Sequence, residues 1–260
     1  MPNVVVGART DLGRQRALNE DALLVGERIF AVADGMGGHA AGDVASRLAV
    51  TSLRELDGGD DLSPAAVNAA LARANAAVVE HGTENPETRG LGTTITGLVE
   101  VCVAGVAHWA VFNVGDSRVY RFADGVLLQA TVDHSEVEEL VADGLIDASE
   151  ARTHPARHII TRSLGMRPAP SVDLWVLPQT VGDRFLVCSD GLTSELDDDH
   201  IARLLADHAD PRAAASALVE AVLDTEARDN VTVLVVDVVE AEGGTDDEIT
   251  VAHHVLQEER

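Results

Sequence analysis

The sequence contains no lysine: all 19 basic residues of the 260-residue chain are arginines. This absence excludes lysine Schiff-base catalysis and P-loop nucleotide binding, since both need a lysine amine. Acidic residues number 44, so the formal net charge at pH 7 is −25. Such a charge repels nucleic acid and anionic membranes. We therefore expect neither as a partner, and we interpret the charge mainly as a solubilising surface.

Cysteines and long apolar segments are also scarce. The two cysteines, Cys102 and Cys188, lie in apolar, strand-like segments, and we expect free, buried thiols rather than a disulfide. No apolar run approaches the roughly 20 residues that a membrane-spanning helix needs. The first residues lack the basic start of a signal peptide. These features together predict a soluble, cytoplasmic protein.

Internal repeats and Pro- or Ser-rich linkers are absent, which favours one domain. We expect this domain at residues 1–240. The remaining residues, 241–260, are acidic and contain glycine, as is typical of a loosely held tail. The tail is either solvated, which we favour, or autoregulatory.

The order of the expected helices and strands indicates the fold class. Apolar, β-rich runs predict strands at 4–8, 22–25, 29–33, 93–103, 106–114, 118–122, 126–130, 172–176, 184–188 and 231–239. Helical spacing and caps predict helices at 45–56, from Pro64 through Val78, at 136–141, 149–152, 197–206 and 211–225. Two long helices followed by a meander of strands predict an α+β fold in which helices pack on antiparallel sheets.

Residues 133–165 interrupt this pattern. The segment is polar, lacks a β signature and carries His134, His154 and His158. It is typical of an insertion between strands, the kind of element that covers a functional site.

Four aspartates stand at the ends of apolar runs: Asp34, Asp116, Asp190 and Asp229. A single Asp-Gly pair is typical of a turn, but four carboxylates at the ends of buried strands can converge on one end of a fold. Converging carboxylates must bind protons or cations, because like charges raise one another's pKa. Oxygen ligands favour Mg²⁺ or Mn²⁺ over zinc.

Two such ions could share a bridging carboxylate and a bridging hydroxide, which suits the hydrolysis of phosphate esters. A guanidinium matches a phosphate bidentately. Arg16, close to Asn19-Glu20-Asp21 in the sequence, is therefore the candidate for binding the phosphate.

Eight short motifs contain these residues and follow one another along the chain. They are Gly13-x-x-Arg16-x-x-Asn19-Glu20-Asp21, Ala31-Val32-Ala33-Asp34-Gly35-Met36-Gly37-Gly38-His39, Gly92-Thr93-Thr94, Asn113-Val114-Gly115-Asp116-Ser117-Arg118, Asp133-His134-Ser135, Thr161-Arg162-x-Leu164-Gly165, Ser189-Asp190-Gly191-Leu192 and Arg228-Asp229-Asn230-Val231-Thr232. With these motifs, roughly residues 4–239 resemble the PP2C (PPM) family of metal-dependent protein serine/threonine phosphatases, bacterial type.

The resemblance implies a four-layer αββα sandwich, two antiparallel β-sheets flanked by helices, with a metal centre at one end. It also implies phosphoserine and phosphothreonine hydrolysis by a metal-bridging hydroxide. Two core Mn²⁺ or Mg²⁺ ions and a third, weaker one are expected. The substrates would be proteins phosphorylated by Ser/Thr kinases. We expect a monomer, and residues 133–165 would be the family's flap beside the site.

The resemblance also assigns roles to single residues. Asp34 would bridge two metals and the Gly35 carbonyl would bind one of them, while Asp190 and Asp229 complete the other. Asp116 would bind the third ion. Glu20 and Asp21 would hold metal-bound waters, and Arg16 would bind the phosphate.

Two positions depart from the family pattern. Many eukaryotic members have a histidine where this chain has Met36, which cannot donate a proton. His39 is nearby in sequence, but we favour a loop or helix-start histidine, and a metal-bound water could supply the proton instead. Ala227 stands where glycine is frequent. The alternatives to a protein phosphatase are a catalytically silent binding module of the same fold and a phosphatase of small phosphate esters.

Overall fold

The computed structural model describes residues 3–37, 41–59 and 62–240. Two features of the sequence, His39 and the acidic tail at 241–260, lie outside the described residues.

Strands make up the inner part of the fold. They are β1 (Asn3–Asp11), β2 (Ala22–Val25), β3 (Ile29–Ala33), β4 (Gly35–Met36), β5 (Gly92–Thr93), β6 (Ile95–Val103), β7 (Val106–Val114), β8 (Arg118–Ala123), β9 (Val126–Gln129), β10 (Asp173–Pro178), β11 (Arg184–Cys188) and β12 (Val231–Val239). The helices are α1 (Ala41–Asp57), α2 (Pro64–Glu84), α3 (Glu136–Ala142), α4 (Ala148–Ala151), α5 (Asp190–Thr193), α6 (Asp198–Asp207) and α7 (Pro211–Leu223), with a 3₁₀ turn at Pro86–Thr88.

The strands form two five-stranded antiparallel sheets and a small two-stranded one. The order in the first sheet is β1-β12-β11-β8-β9, and in the second it is β10-β7-β6-β3-β2. Of the strands in the described residues, the first, β1, thus pairs along its whole length with the last, β12. The small sheet pairs Gly35 with Thr93 and Met36 with Gly92.

The layers follow from the alternation of side chains along each strand. Ile29, Ala31 and Ala33 of β3 pack with residues of α1 and α2, whereas Phe30 and Val32 face the space between the sheets. A third cluster joins β11 and β12 to α6 and α7. The order helix, sheet, sheet, helix confirms the predicted fold class.

The core between the sheets is organised around Trp109. Its ring packs edge-on against Phe30 and against Phe185, with centroids 6.1 Å apart and planes at 64° in both pairs. All three rings are almost fully buried. Since Phe30 and Trp109 belong to the second sheet and Phe185 to the first, this contact joins the two sheets.

Several predicted elements differ from the observed ones. Helix α1 begins at Ala41 rather than residue 45, and Thr93 belongs to β5, separate from β6. The four-residue helix α5 was not predicted. Its sequence, Asp-Gly-Leu-Thr, has no helical periodicity to detect, because it is little longer than one turn.

The expectation for the cysteines was half wrong. Cys188 is buried, but Cys102 is exposed. Cys102 lies near the end of β6, where its neighbour Val101 is buried. Because successive side chains of a strand point to opposite faces, burial of Val101 directs Cys102 outward.

Residues 133–165 contain α3 and α4; one β-bridge closes the segment on itself and another joins it to β5. Ser135 forms a β-bridge with Ile160, and Leu164 forms one with Thr93 of β5. That the segment acts as a flap over the site stays a prediction. No helix in the described ranges is long and apolar enough to cross a membrane.

We expect Trp109→Ala to lower the free energy of unfolding by about 3–5 kcal/mol, because it leaves a cavity between the sheets. Val106→Ala on the same strand is the control: Val106 is 59% exposed and its loss should change the value by about 0.5 kcal/mol or less. Urea unfolding measures both. Equal effects of the two substitutions would contradict this account of the core.

Candidate metal centre

Asp34 follows the buried strand β3 and is held by its backbone. Its N–H donates to Thr94 Oγ1 at 3.0 Å. Its carbonyl accepts from Thr94 N at 2.9 Å and from Thr93 Oγ1 at 2.9 Å. With these backbone groups satisfied, the carboxyl group is left for other partners.

Gly35 lies where three parts of the chain meet. A Cβ atom at this position would overlap the carbonyl groups of Gly42 in α1 and of Glu20. Gly35 N donates to that Glu20 carbonyl at 3.2 Å, and Ser46 Oγ donates to it at 2.6 Å. The position therefore requires glycine, and its backbone is fixed beside Asp34.

Glu20 and Asp21 have different surroundings. A carboxylate oxygen of Glu20 accepts from Gly42 N at 3.2 Å, at the N-terminus of α1. Asp21 Oδ2 accepts from Thr232 Oγ1 at 2.7 Å and from Ser189 Oγ at 2.9 Å. Asp21 Oδ1 is buried and has no hydrogen-bond partner, so this oxygen is free to bind a ligand.

Asn230 fixes the loop that carries Arg16, Glu20 and Asp21. Its Nδ2 donates to the carbonyls of Leu12 and Leu18 at 2.9 and 3.0 Å, and its Oδ1 accepts from Glu20 N at 2.9 Å. One buried amide thus joins a loop near the start of the chain to the beginning of β12.

Asp190 begins α5 directly after β11. A Cβ atom on the next residue, Gly191, would overlap the carbonyl of Asn230, so α5 lies against the start of β12. The carboxyl groups of Asp34 and Asp190 lie close enough that each affects the pKa of the other.

Asp116 follows β7 and is also buried. The neighbouring Ser117 Oγ lies 2.8 Å from Thr94 Oγ1, the same hydroxyl that accepts from the Asp34 N–H. Asp116 Oδ1 is buried without a hydrogen-bond partner. Asp116 is thus tied to the Asp34 strand and carries a second unsatisfied oxygen.

Burial and repulsion shift the pKa values of four carboxyl groups in one direction; Asp116 is buried, and Asp21, Asp34 and Asp190 are partly buried. Burial raises the pKa of Asp21 to about 7, against its hydroxyl donors, and Asp190 and Asp229 add to the rise. Burial, with repulsion among these groups, also raises the pKa of Asp34 and of Asp116 well above the usual value. The pKa of Asp190 is raised by burial and by Asp229.

Arg16 and Asp229 lie at the rim of this cluster. Arg16 Nη2 is 2.6 Å from Asp229 Oδ2, and the two side chains are 50% and 35% exposed. Arg16, predicted to bind phosphate, therefore forms an ion pair with Asp229, which is predicted to bind metal. Asp229 is the anion that the Arg16 guanidinium contacts in this structure. Its role towards phosphate stays a prediction.

The donor set fits hard divalent cations. Within the described ranges, no three His, Cys, Asp or Glu side chains form a group that could hold an ion as they lie. Yet buried oxygens of Asp21 and Asp116 lack partners, and burial and neighbouring carboxylates raise the pKa of Asp34 and of Asp190. Carboxylates that repel one another in this way are the oxygen ligands that Mg²⁺ and Mn²⁺ prefer.

The family model for protein phosphatase 2C matches residues 13–226. The chain belongs to the protein phosphatase 2C family. This confirms the family that the motifs predicted.

Two curated relatives and one solved structure extend the comparison. Serine/threonine protein phosphatase PstP of Mycobacterium tuberculosis is 42% identical over 244 residues, 91% of this chain and 45% of that protein. Serine/threonine phosphatase stp of Listeria monocytogenes is 34% identical over 241 residues, 88% of this chain and 94% of that protein. The crystal structure of the catalytic domain of PstP in complex with two manganese ions has a TM-score of 0.81 and 37% identity, covering 92% of this chain and 100% of that one.

This chain therefore spans less than half of the mycobacterial relative and nearly all of the Listeria one.

Some residues that shape the phosphatase 2C site had no role in our sequence analysis. Thr94, Ser189, Thr232 and Asn230 donate or accept the hydrogen bonds that place Asp34, Asp21 and Glu20. Each lies within a motif that carries the resemblance. For Ser189, Asn230 and Thr232, the available signal was a polar residue close in sequence to Asp190 or Asp229.

The structure shows the surroundings of the two residues that depart from the family pattern, Met36 and Ala227. Met36 is partly buried in β4. Ala227 has φ of +42° and accepts from Arg14 N at 2.8 Å, so the backbone there adopts the left-handed region, which costs a residue with a Cβ about 1–2 kcal/mol. This explains the preference for glycine.

The raised pKa values predict how stability without metal depends on pH. An aspartate of raised pKa contributes stability below its unfolded value of about 3.9 and loses it as pH rises through the folded value. In EDTA, the free energy of unfolding should therefore carry a term that falls between about pH 4 and 7. Asp21→Asn should reduce this fall. Urea unfolding at several pH values measures it, and an identical pH dependence in both proteins would contradict the Asp21 assignment.

Proposed function

We propose that this chain is a metal-dependent phosphoprotein phosphatase that hydrolyses phosphoserine and phosphothreonine. The observation that carries the proposal is the cluster of buried and partly buried carboxyl groups of Asp21, Asp34, Asp116 and Asp190 at one end of a phosphatase 2C fold. The names of the Mycobacterium and Listeria relatives support it, as do the two manganese ions in the PstP domain.

The proposed aspartate ligands lie at the ends of four strands, β3, β7, β11 and β12. Asp34 with the Gly35 carbonyl, and Asp190 with Asp229, would hold two Mn²⁺ or Mg²⁺ ions, and Asp116 would hold a third, weaker one. Bound ions of this kind supply a hydroxide nucleophile at neutral pH and neutralise charge on the phosphoryl oxygens. With a cation bound to Asp229, this carboxylate would no longer pair with Arg16. The guanidinium would then be available to bind the phosphate.

Other residues of the chain orient the reacting groups. The unpartnered Asp21 Oδ1 and the Glu20 carboxylate would accept hydrogen bonds from water beside the ligands and so orient it towards phosphorus. Arg16 would bind two phosphoryl oxygens bidentately. Met36 cannot protonate the leaving serine or threonine oxygen, so a water molecule within the cluster would donate that proton.

The setting of the reaction follows from charge and composition. We propose that the substrates are proteins phosphorylated by Ser/Thr kinases and that the protein acts in the cytoplasm as a monomer. The net charge of −25 makes nucleic acid and membranes unsuitable partners.

Activity should require divalent metal. The purified protein is expected to hydrolyse phosphothreonine and phosphoserine peptides with Mn²⁺, to spare phosphotyrosine peptides, and to lose activity in EDTA, because the cluster alone provides no nucleophile. Phosphate release in parallel assays measures this. Turnover that persists in EDTA would rule out the metal mechanism, and hydrolysis of small phosphate esters alone would rule out a protein substrate.

Single amide substitutions test the ligands. Asp34→Asn and Asp190→Asn should each lower kcat/KM by at least about 100-fold, the scale for loss of a key electrostatic group. Asp199→Asn is the control, because Asp199 is an exposed aspartate on α6 and its loss should leave turnover unchanged. Near-normal activity of either cluster variant would remove that residue from the proposed ligand set.

A further inference from the structure

His134 contacts the residue before Asp116 through both of its polar groups. Its backbone N–H donates to the Gly115 carbonyl at 2.9 Å. Its imidazole Nδ1 lies 3.1 Å from Gly115 N. Because a backbone N–H can only donate, Nδ1 is the acceptor in this bond and carries no proton. The neutral imidazole is therefore protonated on Nε2.

The Nε2 atom of the imidazole also has polar partners. Nε2 lies 3.1 Å from Asp173 Oδ2. Arg162 Nη1 donates to Asp173 Oδ1 at 3.0 Å and lies 3.1 Å from the same Nε2. The Asp173 carboxylate thus accepts from both donors. It fixes the Nε2–H tautomer that leaves Nδ1 free for Gly115.

Burial makes these contacts specific. The His134 side chain is 4% exposed, and burial lowers the pKa of His134, which keeps the ring neutral. The Gly115 carbonyl also accepts from Asn113 Nδ2 at 3.0 Å. Both backbone groups of Gly115 are therefore bonded, and the peptide that leads into Asp116 has few other positions.

We propose that His134 is a positioning residue that holds Asp116 in place for a divalent cation, through Gly115. The inference rests on the proposed function, in which Asp116 binds the third, weaker ion. It also gives the 133–165 segment a connection to the metal centre, because His134 and Arg162 belong to that segment and Asp173 to β10. The segment would then support the site of the third ion through the contacts of His134 with Gly115.

Two substitutions separate this role from simple packing. The side-chain oxygen of Asn can occupy the place of Nδ1, so His134→Asn keeps the acceptor for Gly115 N and loses the contact with Asp173. Gln reaches the place of Nε2, so His134→Gln keeps the Asp173 contact and loses the acceptor for Gly115. A merely structural histidine would make the two variants alike.

Calorimetric titration with Mn²⁺ tests the proposal, because it measures the affinity of each binding step. We expect the weakest binding step to lose about 10- to 100-fold in affinity in His134→Gln, the usual cost of removing a group that orients a ligand. Tighter steps should be unchanged, and His134→Asn should stay close to wild type. Unchanged weak binding in His134→Gln, equal losses in both variants, or no weak step in the wild type would each overturn the proposal.

A measurement on the unaltered protein in EDTA keeps the test independent of how the variants fold. Nitrogen NMR of His134 should show a proton on Nε2 and none on Nδ1, with a hydrogen bond from the Gly115 amide; a proton on Nδ1 would overturn the proposal. If these tests fail while phosphopeptide hydrolysis remains sensitive to EDTA, the proposed function stands and only the role of His134 falls. Loss of both would reject the proposed function itself.

Discussion

Repulsion among carboxylates is the constraint on which the arrangement of this site depends. Asp21, Asp34, Asp116 and Asp190 lie in surroundings that disfavour ionisation, and the pKa of Asp34 is raised by burial and then by Asp21, Asp190 and Asp116. A fold can tolerate such a group only if the backbone around it is held by other contacts. Here Thr93 and Thr94 hold Asp34, and Asn230 holds the loop before Asp21. Hydrogen bonds to the surrounding backbone therefore hold the carboxyl groups together, although their mutual repulsion lowers the stability of the fold when no cation is bound.

The sheets supply that stability and set the place of the cluster. The packing of Phe30, Trp109 and Phe185 between the sheets keeps β3, β7 and β11 in register, and each of these strands leads into one of the aspartates. The carboxylates meet because their strands end at the same edge of the sandwich. Few changes of loop conformation could then separate them.

The fold class, nearly all strands, and the candidate ligands followed from local patterns. Buried strands such as Ile29–Ala33 have a clear apolar signature, and the motifs around Asp34, Asp190 and Asp229 are specific when they occur together. Helix α5 is too short to show periodicity, and the bonds of Asn230 depend on residues distant in sequence. A sequence pattern does not report which carbonyl an amide will reach 212 residues away. The pairing of Arg16 with Asp229 has the same origin, since it depends on two loops meeting.

The pairing of β1 with β12 has a consequence for the synthesis and folding of the protein. Residues 3–11 have no partner strand until residues 231–239 exist, and Asp21 lacks the Thr232 hydroxyl until then. Contacts of such long range are slow to form, because the intervening chain must be ordered first. A nascent chain on the ribosome thus carries Asp34 long before it carries Asp229. The cluster of aspartates and the hydroxyl that Thr232 donates to Asp21 are therefore complete only once β12 has been synthesised.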